Sequence, residues 1–162
     1  MSDDPFDLAR FVSAQNSADV YGHALNELRG ARKTTHWMWF VFPQLTGLGR
    51  SQMSRTYAIS SLGEAAAFLR HPVLGPRLIA CTGALLDVQD RQVSEILGAV
   101  DAQKLQSSMT LFRRAAPDGP LFGAVLVRYF GGSPDPATER RLGWDPDLGR
   151  GQAGGAAVPP PT

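Results

Sequence analysis

The residues best suited to chemistry crowd into nine positions, His36-Trp37-Met38-Trp39-Phe40-Val41-Phe42-Pro43-Gln44. This run holds two of the three tryptophans and two of the eight phenylalanines. Arg32 and Lys33 stand just before it. Indole faces stack on planar rings, an imidazole exchanges protons near neutral pH, and a carboxamide both donates and accepts. Together these groups suit recognition of a nucleotide-like molecule better than any bond-making step. A structural use competes. Trp37, Phe40 and Val41 recur at three and four positions, the stripe of a helix turned toward a core. Such a helix aims Trp39 roughly opposite Trp37, toward a groove or a second packing layer. His36 is a candidate base or stacking partner, or a histidine bonded to a main-chain carbonyl.

Other polar residues could join this site. Gln15 lies near the end of the first helix, and Lys33 and Gln44 flank the aromatics; the amides suit a base or ribose edge. Tyr57 offers a third stacking surface beside Trp37 and Trp39. The loop from Gly47 to Tyr57 contains Ser51 and Arg55, which bind phosphate if backbone amides converge there at a helix start. It matches neither a GxGxxG nor a Walker pattern. Further on, Lys104 and Ser108 share a helix face, the placement of a serine–lysine nucleophile pair. No metal or cofactor is expected. Three histidines, at 23, 36 and 71, lie far apart, and no HExxH or CxxC spacing occurs. Cys81 is the one cysteine, which excludes an intramolecular disulfide and reads as a small buried hydrophobe.

The elements that must position these groups read as helices. Asp4-Pro5 opens a first one through Val12. Asp19 caps a second that ends at Gly30, and Thr34 or Thr35 caps a third that enters the aromatic run and stops before Pro43. Ser61-Leu62-Gly63-Glu64 matches a capping box. A longer helix spans about 72–87, a short one closes at Gly98, and Asp101 caps another carrying Leu105, Met109 and Phe112. Pro120 and Asp135-Pro136 open the last two. Alternating strand patterns are scarce, with Phe40-Val41-Phe42 the only β-like triplet. Glycine, alanine and proline dominate after Gly149, with almost nothing to bury. The expected architecture is all-α: a compact multihelical single domain over residues 4–143, with a disordered tail over 144–162.

Composition bounds the partners. The chain has 162 residues, a formal net charge of +1, 43% hydrophobic and 19% charged residues. That charge argues against nucleic acid as a partner. No apolar run approaches the roughly 20 residues that span a bilayer, so no membrane partner is expected. With an acidic N-terminus that lacks an apolar signal core, the expected location is cytoplasmic.

Several stretches are familiar. Phe6-Asp7-Leu8-Ala9-Arg10-Phe11-Val12 followed by Ala14-Gln15, Ala24-Leu25-Asn26-Glu27-Leu28-Arg29, and the run from Lys33 to Gln44 resemble the domain-of-unknown-function family 1810. So do Gly47-Leu48-Gly49-Arg50-Ser51, His71-Pro72-Val73-Leu74-Gly75, Lys104-Leu105 with Ser107-Ser108-Met109-Thr110-Leu111-Phe112, and Tyr129-Phe130-Gly131-Gly132. The resemblance covers nearly everything before the tail. It implies a small bacterial, mostly helical domain of the mycobacterial hypothetical-protein type, with no established activity. The name calpastatin, attached to some such proteins, implies a disordered, repeat-built protease inhibitor, which this apolar and aromatic chain does not resemble.

Two functions remain open at this point. One is a small-molecule pocket around His36 and Gln44, with Trp37, Trp39 and Tyr57 as stacking surfaces and Gln15, Lys33, Ser51 and Arg55 as polar contacts. The alternative is a non-enzymatic interaction module that docks a protein, or a second copy in a homodimer, on the same aromatic surface. Whether the chain is an enzyme stays open, because no carboxylate is marked for catalysis.

Overall fold

Residues 3–143 are described by a computed structural model, which is helical with no named strand among them. The Asp4 carboxylate accepts from the backbone N–H groups of Leu8 (2.7 Å) and Ala9 (2.9 Å), and Asp7 turns the chain at φ 53°. Helix α1 therefore starts only at Ala9 and runs over Ala9–Asn16, one turn later than the Asp4-Pro5 opener suggests. A 3-10 turn, Ser17–Asp19, leads into α2, Val20–Arg29. Asp19 does occupy the N-cap position there, but its backbone is left-handed (φ 54°) and its side chain makes no cap bond.

The aromatic run departs from the expected helix. Lys33 N–H donates to the Ile96 carbonyl at 2.7 Å, and the amides of Thr34 and Thr35 donate to Glu27. With those amides tied to other elements and Pro43 closing the far end, only one turn forms, α3, Met38–Val41. Phe40-Val41-Phe42 is accordingly helical or bent, and not β-like. The strand-like pairing lies just after it, where Thr46 N–H donates to the Ile59 carbonyl and Ile59 N–H to the Gln44 carbonyl, both at 2.8 Å.

Two serine-capped helices follow. Ser51 opens α4, Gln52–Thr56, and Ser61 opens α5, Leu62–Arg70, each accepting from the amide three residues on at 3.1 Å. Half of the expected capping box at Ser61 forms. Glu64 turns instead to the Ser60 amide and hydroxyl, both at 2.8 Å, and to Arg10 at 2.9 Å.

Helices α6 (Leu74–Asp87), α7 (Val93–Leu97), α8 (Ala99–Ala115), α9 (Leu121–Phe130) and α10 (Pro136–Arg141) complete the fold. Gly98, at φ 87°, lets α7 turn directly into α8, so α8 begins two residues before the Asp101 cap expected from sequence. Every residue of α8 from Ser107 to Phe112 is buried, as befits a helix enclosed by α5, α7, α9 and α10. The rings of Phe11, Phe68, Phe112 and Phe122 touch in succession at 5.1, 5.4 and 5.7 Å, joining α1, α5, α8 and α9. α10 docks through polar groups. Asp135 caps it and accepts from Ser107 at 3.1 Å, while Glu139 pairs with Arg114. Cys81 is fully buried, and burial pushes its thiol up to about 12 despite the Tyr21 hydroxyl beside it, which fits a packing role. No helix among the described residues is long and apolar enough to cross a membrane. The tail expected over 144–162 lies outside the described residues.

Candidate functional site

Trp37 is fully buried, and its indole Nε1 donates to the Glu27 carboxylate at 2.9 Å. The same carboxylate accepts from the amides of Thr34 (2.8 Å) and Thr35 (3.0 Å) and from the Thr35 hydroxyl (2.5 Å). Burial acts to raise the Glu27 pKa, but these four donors stabilise the charged form more strongly and bring it down from 4.5 to about 2. Glu27 thus fastens α2 to the entrance of the aromatic run.

A chain of charges leads away from Trp37. The Lys33 ammonium lies 5.2 Å from the Trp37 ring centroid and 2.9 Å from Asp101 on α8. Lys104, one turn along, lies 3.7 Å from the other oxygen of Asp101 and 5.6 Å from the ring centroid of Trp39. Trp39 is only half-buried, and among the described residues its indole N–H has no hydrogen-bond partner. Ser108 follows on the same face of α8 as Asp101 and Lys104. It is fully buried, and its hydroxyl has no partner among the described residues. No bond joins Lys104 to Ser108, so the serine–lysine pair is not assembled.

The other sequence candidates are scattered. Gln15 is buried; its amide donates to the Phe40 carbonyl at 2.7 Å and its oxygen accepts from Arg77 at 3.2 Å, so it joins α1, α3 and α6. His36 is exposed. It shares a cavity of about 270 Å³ with Ala18, Val20, His23 and Thr35, and neither Trp39 nor Gln44 lines it. Gln44 is half-buried; its carbonyl accepts from Ile59, and its carboxamide has no partner among the described residues. Ser51 is the α4 cap and Arg55 is exposed on that helix. The Tyr57 ring packs edge-on to Phe40 at 5.2 Å and against Phe11 at 5.8 Å. Of the residues singled out, Lys33, Trp37 and Trp39 come together. Asp101 and Lys104 complete the cluster, although sequence spacing marked them as a cap and half of a nucleophile pair. Their spacing of three on one helix face was visible, but the link to Lys33, 68 positions earlier, was not.

The cluster presents a partly exposed indole, whose N–H has no partner among the described residues, and an ammonium at the ring. That combination accepts a planar group carrying negative charge. Among the described residues no three His, Cys, Asp or Glu side chains are grouped to hold a metal ion.

The family model described as "Protein of unknown function (DUF1810)" matches residues 5–142. Among solved structures, the crystal structure of the conserved hypothetical protein Rv1873 from Mycobacterium tuberculosis is similar, at 53% identity and a TM-score of 0.84. The match covers 88% of this chain and 100% of that one. No curated protein matches the chain.

Proposed function

We propose a small-molecule-binding role for this chain, which belongs to the DUF1810 family of proteins of unknown function, and centre that role on Trp39. The observation that carries the reading is the half-buried indole with an unengaged N–H and the Lys104 ammonium 5.6 Å from its ring centroid. A large aromatic side chain left partly in water gains less from folding than a buried one. Its placement beside Lys104, which Asp101 links to Lys33, suits a planar, anionic, nucleotide-like ligand. The base lies on the Trp39 face, the phosphate meets Lys104, and Asp101 holds Lys33 and Lys104 in place.

The charged surround favours this role over protein docking on the same surface, because the centres of protein interfaces are depleted of charge. The test is calorimetric titration of the wild-type protein with nucleoside mono- and diphosphates. Loss of a stacking indole removes about 1–3 kcal/mol, so Trp39→Ala weakens binding by about fivefold or more. Lys104→Ala weakens the phosphorylated ligands and spares the nucleosides. Absence of binding to the wild type, or affinities unchanged in both variants, contradicts the role. A concentration-dependent dimer abolished by Trp39→Ala would assign the surface to self-association instead.

A further inference from the structure

We infer that the cavity between the N-terminal segment and the C-terminal end of α5 is a separate binding site, for a short apolar peptide of two or three residues with both ends free. The cavity measures about 680 Å³, within the roughly 300–1,000 Å³ of small-ligand sites. Phe6, Val12 and Ala67 give it an apolar lining. Its N-terminal wall is held firmly. The guanidinium of Arg10 donates to the Phe6 carbonyl (2.7 Å), the Ala58 carbonyl (2.7 Å) and Glu64 (2.9 Å). The Phe6 ring lies so close to α5 that a Cβ at Gly63 would stand 3.7 Å from its edge. A wall bonded at this many points is pre-formed, which spares a ligand the cost of ordering it.

The rim carries both signs of charge. The N-terminal segment contributes Asp3, and the end of α5 contributes Arg70 and His71. Asp3 and Arg70 are exposed and have no ion-pair partner among the described residues. The Asp4 carboxylate is occupied by the Leu8 and Ala9 amides. His71 Nδ1 accepts from the amides of Val73 (3.1 Å) and Leu74 (3.2 Å), which leaves its other ring nitrogen as the N–H donor. A simple anion would meet Asp3 and a simple cation would meet Arg70. A zwitterion satisfies both, its ammonium toward Asp3 and its carboxylate toward Arg70 and His71. A single amino acid would leave most of the volume empty, whereas three extended residues span about 10 Å. The cavity shares no lining residue with the Trp39 cluster, so this site stands or falls independently of nucleotide binding.

Isothermal calorimetry of the full chain with leucyl-leucine, its N-acetyl derivative and its C-terminal amide tests the assignment. The free dipeptide binds saturably, and blocking either end weakens it, by up to about fivefold as for an exposed ion pair. In Arg70→Gln the amidation penalty shrinks to what His71 alone contributes; in Asp3→Asn the acetylated and free forms bind alike. Both substitutions fall on exposed side chains and leave the fold intact, which the thermal melt verifies. No saturable heat at millimolar peptide, equal affinity for blocked and free forms, or an amidation penalty undiminished in Arg70→Gln overturns it.

Discussion

Around Trp37 the indole N–H, two threonine amides and a threonine hydroxyl all donate to Glu27, and the ring is closed to solvent. Two residues on, Trp39 keeps a half-exposed face and an N–H without a partner among the described residues, with Lys104 above the ring. The two indoles share a backbone turn, and each has an ammonium near its ring. They differ in that folding uses up the hydrogen-bonding capacity at one and leaves it at the other. A saturated aromatic supports the fold, and an unsaturated one is free to recognise a ligand.

The largest effect expected from this contrast is at the saturated end. Trp37→Ala empties a fully buried site and destabilises the protein by about 3–5 kcal/mol in urea unfolding. If its cost is below about 1 kcal/mol, the contrast is broken. Next comes Glu27→Ala, which strands the buried Trp37 N–H together with the Thr34 and Thr35 amides. A loss of about 2–3 kcal/mol is expected, and the Thr34 and Thr35 amides exchange faster with solvent in hydrogen-exchange measurements.

The acid limb of stability sharpens the same point. Glu27 titrates at about 2 when folded against 4.5 ordinarily, so its contribution is fully present above pH 4.5 and fades as the pH falls toward 2. Stability measured across that window declines in the wild type, and Glu27→Gln flattens the part of the decline that belongs to this carboxylate. A profile identical in both proteins would mean that the four donors do not act on its charged form. Smaller still is Asp101→Asn. It removes the partner of the mostly buried Lys33 ammonium and loosens Lys104 for about 1–2 kcal/mol, while it alters the charge presented beside Trp39.

How much of this was legible in the sequence follows from the range of each interaction. The all-α class, the serine cap at Ser61, the Gly98 and Gly131 stops and the Asp135-Pro136 start depend on neighbours within a few residues, and those patterns can be read directly. The aromatic run was harder. Its apolar spacing matches a helix, yet Glu27 takes amides seven and eight positions downstream and holds the chain out of one. Residue type alone does not reveal that competition, and Glu27 looked like an ordinary surface acid. Arg10 was hidden for the same reason. Its bonds to Thr56, Ala58 and Glu64 span 46 to 54 positions. The candidate site shows both cases. Trp39 stood out as surplus apolar surface, whereas Asp101 and Lys104 joined it only once α8 had packed beside the loop at Lys33.

The account rests on Trp39 being surplus to the fold, and equilibrium urea unfolding of Trp39→Ala measures that directly. The predicted loss is less than about 1.5 kcal/mol with an unchanged denaturant slope. A loss of about 3 kcal/mol or more, the scale of an emptied core, would place Trp39 with Trp37 as a structural residue and remove the basis for a ligand there.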